Sequence, residues 1–128
     1  LRDGTLTLGD RTFHVEDLSE PRAGSAFALV MDTRACPGAV ALARDADLLV
    51  MEATYTGADQ RLATEHGHAS AVDAARTALE AGAHRLAITH FSQRYLSVQQ
   101  HVDEARAIFP ATVALHDLDR VAIPRRHG

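Results

Sequence analysis

Four short apolar runs constrain this chain most: AFALVM (26–31), DLLVM (47–51), RLAIT (85–89) and TVALH (112–116). Each has strand length, and helical patterns separate them. That alternation predicts βαβ units and a largely parallel sheet. Between the first two runs, PGAVALARDA places Pro37 in the first turn of a short alanine-rich helix. Between the second and third, SAVDAARTALEAGA has capping-box spacing at Ser70 and Asp73, with Val72, Ala75 and Leu79 on one face and a stop at Gly82. A third helix is expected over VQQHVDEARAIF, with Val98, Val102, Ala105 and Phe109 on one side and Pro110 ending it. Ahead of all this, residues 5–15 alternate around Gly9-Asp10, the pattern of a β-hairpin with a two-residue turn. The expected class is therefore α/β, an N-terminal β-hairpin followed by alternating strands and helices. At 128 residues there is room for one core.

The runs end as VMD, VME and ITH, so Asp32, Glu52 and His90 follow three successive parallel strands. Ligands of open α/β sheets bind at that edge. Singly, an Asp there is usually a turn or capping residue, a Glu can cap the next segment, and a His is more often hydrogen-bonded structure than ligand. Three together point to one rim, and the fourth run adds His116-Asp117. The segment ATEHGHAS supplies His66 and His68. In extended backbone such a pair points one way and could form a metal claw. His68, near a helix start, reads better as an acid-base or substrate-contacting residue, and His66 as solvent-facing. Arg94, four residues past His90, could hold a phosphate by two parallel hydrogen bonds, or could be a surface arginine paired with a carboxylate. His14, His84, His101 and His127 read as surface or structural histidines.

Composition excludes several classes. A formal net charge of -4 argues against a wide basic surface for nucleic acid, although the tail PRRHG adds local positive charge. No apolar run approaches the roughly 18 residues of a membrane span. The single cysteine, Cys36, rules out an internal disulfide and fits a reducing compartment. No Walker loop, dinucleotide fingerprint, nucleophile elbow or cysteine-based zinc motif occurs.

FALVMDTR, ADLLVMEATY, GHASAVDAARTALEAGA and LAITHFSQRY together resemble ribonuclease Z, the tRNA 3′-processing endonucleases of the metallo-β-lactamase superfamily. The hairpin DGTLTLGDRTFHVEDL resembles the segment before that family's aspartate motif. The resemblance implies half of a metallo-β-lactamase αββα sandwich, in a cytoplasmic enzyme acting on precursor tRNA. It implies that Asp32 bridges two zinc ions and that His90 completes the second metal's shell. Glu52 would orient His68 to protonate the leaving 3′ oxygen, and Arg94 would assist at the scissile phosphate. Ala69 departs from the family's more usual Ser.

The superfamily's HxHxDH motif, which supplies most metal ligands and the general base, is absent from these residues; Ser70 and Ala71 stand where its Asp and last His would follow His66 and His68. The tRNA-gripping arm is absent as well. The chain also opens at Leu1, directly on the hairpin. It is therefore expected to be a single partial domain, 1–128, the C-terminal half of the fold. Alone it should bind metal weakly or not at all and show no turnover, since a catalytic zinc normally has three protein ligands. Its bare apolar face should make it dimerise, aggregate or require the missing N-terminal half, and the complete enzyme is expected to be a homodimer. Two other readings share these features: a phosphodiesterase or arylsulfatase of the same fold not specific for tRNA, and a non-catalytic truncated α/β module.

Overall fold

The computed structural model describes residues 4–123; His127 and the PRRHG tail lie outside them. Strands β1 (Thr5–Leu8) and β2 (Arg11–His14) form the expected antiparallel hairpin. Gly9, at φ 65°, takes the left-handed turn position that a residue with a Cβ resists. A single helical turn, α1 (Val15–Leu18), follows.

The main sheet contains β3 (Phe27–Val30), β4 (Leu48–Glu52), β5 (Leu86–Thr89) and β6 (Thr112–Ala114), all parallel and in chain order. Three helices make the crossovers: α2 (Pro37–Ala43), α4 (Ala71–Ala81) and α5 (Gln99–Ile108). Right-handed crossovers in a sheet wound in one direction place every helix on the same face. Accordingly α2 packs on β3, α4 on β4 and β5, and α5 on β6, with α4 between its two neighbours.

The core fills that one interlayer space. Leu49, Met51, Leu86 and Ile88 are fully buried beneath a carpet of alanines that includes Ala43, Ala74, Ala75, Ala78 and Ala105. Each large side chain contributes about 1.5–3 kcal/mol by leaving water. Small residues let three helices lie close on four short strands. Gly57 serves the same end above the sheet: a Cβ there would come within 2.8 Å of Val72, and its N–H donates to Glu104 at 2.6 Å.

The capping box is formed, Ser70 accepting from the Asp73 N–H while the Asp73 carboxylate accepts from the Ser70 N–H, and Gly82 ends the helix at φ 67°. Its buried face differs from the expected one. Ala71, Ala74, Ala75 and Ala78 face the core, whereas Leu79 is 59% exposed. A helix flanked on both sides needs small residues over a broad arc, and Leu79 falls outside it. A further helix, α3 (Gln60–His66), was not expected; it follows a 3₁₀ turn at Gly57–Asp59.

The opposite sheet face is only partly covered among the described residues. In-register pairing puts Phe27, Leu29, Leu48, Val50, Ala87 and Val113 on it: Phe27 and Leu29 are about half exposed, Val50 and Val113 half-buried, and Leu48 and Ala87 buried. One sheet with helices on one side is half of an αββα sandwich. No helix of the described residues is long and apolar enough to cross a membrane.

Candidate functional site

The site lies at the C-terminal edge of the parallel sheet, where the strand-end pattern places it. Asp32 follows β3, Glu52 ends β4 and His90 follows β5. Asp32 (φ 55°) and His90 (φ 59°) both adopt left-handed backbone. For residues with a Cβ this conformation costs on the order of 1 kcal/mol, less for Asp than for most. Each chain turns sharply as it leaves its strand, and both side chains remain exposed at the rim.

Glu52 is the centre of the site. It is completely buried, and its carboxylate accepts from the Thr33 N–H, from Thr54 Oγ1 at 2.6 Å, from the Ala69 N–H at 3.1 Å and from His68 Nδ1 at 2.9 Å. A buried carboxylate is tolerable only with such a set of donors. Thr54 has a single hydroxyl proton, which it gives to Glu52, so it must accept from His90 Nδ1, 2.8 Å away. One relay, His90–Thr54–Glu52–His68, thus fixes both imidazoles with a proton on Nδ1 and leaves each Nε2 directed elsewhere. The two rings lie 5.5 Å apart, and Asp32 Oδ1 is 3.7 Å from His68 Nδ1.

His68 is not on an extended segment. His66 ends α3, Gly67 reverses the chain at φ 76°, and His68 enters the site just before the α4 cap. The two side chains therefore do not form a claw: His66 is exposed and lies near-parallel to Tyr55, with ring centroids 6.2 Å apart. Tyr55 is held by a bridge to Ser70 and by the Ala71 N–H, which donates to its carbonyl at 2.8 Å.

Arg94 sits at the margin, its guanidinium 6.0 Å from the Tyr55 ring centroid and 3.8 Å from Asp59. Tyr95 donates to the same Asp59 oxygen at 2.5 Å and accepts from the Thr56 N–H. Beneath this loop His101 is fully buried, edge-on to Phe91 (5.1 Å) and Tyr95 (4.6 Å). Neither ring nitrogen finds a hydrogen-bond partner among the described residues. Burial pushes its pKa down, outweighing the opposite pull of Glu104 and the Thr54 backbone. Of the histidines read as surface or structural, this one is core. His116 and Asp117 stay exposed, His116 pairing with Asp119; they border an open cleft with His90, Phe91 and Met31.

Glu52, His68 and His90 bring ligand-type atoms within 4.8 Å of one another, an arrangement able to approach a metal ion. Thr54 and Thr33 were not singled out from sequence. Thr54 stands two residues after Glu52 in MEAT, where strand-like alternation returns it to the same side, but its second partner is 36 residues away.

Over 98% of its length the chain is 48% identical to the ribonuclease Z of Nocardia farcinica and 50% identical to that of Streptomyces coelicolor. The ribonuclease Z of Geobacillus kaustophilus is 44% identical. The chain spans about two-fifths of the length of these curated relatives. Among solved structures, the metallo-β-lactamase fold protein YhfI of Bacillus subtilis superposes with a TM-score of 0.59 at 24% identity, covering 88% of this chain and 49% of that one. The short form of human tRNase Z gives 0.52 at 37% identity, covering 68% of this chain and 28% of the other. No family model matches the chain. The fold is thus a partial metallo-β-lactamase fold, and the resemblance to ribonuclease Z extends along nearly the whole chain.

Proposed function

We propose that this chain, a partial-length relative of ribonuclease Z, carries the proton-donor side and part of the metal site of a zinc-dependent endoribonuclease that removes 3′ trailers from precursor tRNA. The observation that carries the reading is the relay from His90 through Thr54 and Glu52 to His68. It prepares one imidazole as a ligand and the other as an acid from a single buried carboxylate.

The donor set fits a metal in part. His90, with Nδ1 engaged by Thr54, offers Nε2, the arrangement in which an outer hydrogen bond fixes a ligating imidazole. The Asp32 carboxylate is exposed and available. Glu52 is different: its oxygens already accept four hydrogen bonds, so it belongs to the support of the site. Asp32 and His90 would hold the ion, and the remaining ligands must come from outside the described residues. When bound, zinc ions supply an activated water and neutralise charge on the phosphoryl oxygens.

The chain's own residues then have separable tasks. Glu52 accepts from His68 Nδ1 and fixes the orientation of the ring. His68 gives the proton on Nε2 to the leaving 3′ oxygen, so that no alkoxide is expelled. Arg94 holds a phosphate oxygen, with Asp59 and Tyr95 setting its place. The exposed part of the opposite sheet face, around Phe27 and Leu29, is where the second sheet-and-helix layer of the sandwich would pack. Residues 1–128 are on this reading the C-terminal half of one domain, inactive until an N-terminal half bearing HxHxDH covers that face, and the complete protein works as a homodimer in the cytoplasm.

Supplying that half, in cis or as a separate chain, with zinc should restore cleavage of a precursor tRNA bearing a 3′ trailer. Parallel assay of a small aryl phosphodiester separates this reading from a phosphodiesterase indifferent to tRNA. A folded, metal-loaded assembly that cleaves the aryl ester and leaves the precursor intact would overturn the tRNA assignment.

A further inference from the structure

We infer that Tyr55, with His66 beside it, forms a stacking platform for the nucleobase adjoining the phosphate held between His68 and Arg94. This rests on the phosphodiesterase reading above and adds a base-binding subsite to it.

Tyr55 is the common neighbour of three groups with different chemistry. Its ring centroid lies 6.2 Å from that of His68, 6.2 Å from that of His66 and 6.0 Å from the Arg94 guanidinium carbon. A phosphate held by both the acid and the guanidinium would sit beside this ring, with its base one ribose away. The His66 plane is only 17° from that of Tyr55, so the two rings offer flat surfaces of similar orientation, while His68 is tilted by 54°.

The platform is both open and fixed. Tyr55 is half-buried and His66 exposed. The Tyr55 N–H donates to the Ala69 carbonyl and its carbonyl accepts from the Ala71 N–H, which ties the ring's backbone to the start of α4. Pre-placed aromatic surface binds a base without paying to order the side chain, and stacking discriminates little among bases because each has a π-face. It would add to the phosphate contact in a chain whose formal net charge is -4. The ligand class is therefore a nucleotide of single-stranded RNA, held by base and phosphate at once.

NMR of the full chain tests this, because Tyr55 and Tyr95 are its only tyrosines and their ring signals can be assigned by substitution. The probes are a single-stranded RNA trinucleotide and the same backbone with abasic riboses. The base-bearing probe should shift the Tyr55 ring protons upfield, and the abasic probe should not. Tyr55→Leu should weaken the base-bearing probe by about tenfold and leave the abasic one unchanged, whereas Tyr55→Phe keeps the affinity. Equal response of Tyr55 to both probes, or unchanged affinity in Tyr55→Leu, overturns the platform; if Arg94→Ala then still weakens both probes, the phosphodiester reading survives. No perturbation of Tyr55, His68 or Arg94 by either probe removes both.

Discussion

His68 Nδ1 lies 2.9 Å from an oxygen of Glu52, a carboxylate with no exposed surface. The pair stands on the other donors that Glu52 accepts from, so its removal is first a matter of stability. Glu52→Ala orphans the Thr33 and Ala69 N–H groups and the Thr54 hydroxyl, and should destabilise the chain by about 3 kcal/mol. Glu52→Gln, which keeps one acceptor oxygen, should cost less. Urea unfolding of the two variants measures the difference.

Thr54 links that carboxylate to His90, so its hydroxyl should matter to metal binding although it is no ligand. Thr54→Val keeps the shape and removes the relay, and zinc affinity of the complete site should fall by at least about tenfold. Thr54→Ser restores the hydroxyl and should restore the affinity. Isothermal titration with zinc distinguishes the three proteins.

Asp32 adopts φ 55° and its side chain is 79% exposed. Glycine suits that backbone and loses no buried contact. Asp32→Gly should therefore leave stability unchanged or raise it by up to about 1 kcal/mol, while zinc binding at the complete site is lost. A melt and a metal titration on the same sample show whether function and stability part in this direction.

His101 carries an acid-side prediction. Burial holds its folded pKa below the ordinary value of 6.5 shown by the unfolded chain. Between those two values the unfolded state binds more protons, so stability rises with pH through that window and levels off above about 6.5. Phe91 and Tyr95 face the ring, and only Glu104 and the Thr54 backbone favour its charge. His101→Phe removes the titrating ring and should flatten this part of the pH profile. Unfolding curves at several pH values, wild type against variant, give the comparison.

What could be read from the sequence was local or periodic. The four apolar runs became the four parallel strands, Gly9 the hairpin turn and Ser70 with Asp73 the capping box, because each depends on residues a few positions apart. The rim at Asp32, Glu52 and His90 followed from strand direction alone. Leu79 was misplaced because periodicity identifies an apolar stripe, whereas the packing of α4 between α2 and α5 selects alanines. Helix α3 has little apolar periodicity; Gly67 after His66 was its one clear stop signal. The Thr54 relay and the burial of His101 depend on side chains meeting across the fold, which no local pattern records.

The proton-donor role proposed for His68 admits the most direct test. In the assembly completed by an N-terminal half, a precursor tRNA is prepared with sulfur replacing the 3′ bridging oxygen at the cleavage site. Sulfur leaves without being protonated, so His68→Ala should lose about 10²–10⁴-fold in single-turnover rate on the oxygen substrate and run close to wild type on the sulfur one. An equal loss on both substrates would contradict His68 as the acid that Glu52 holds in place.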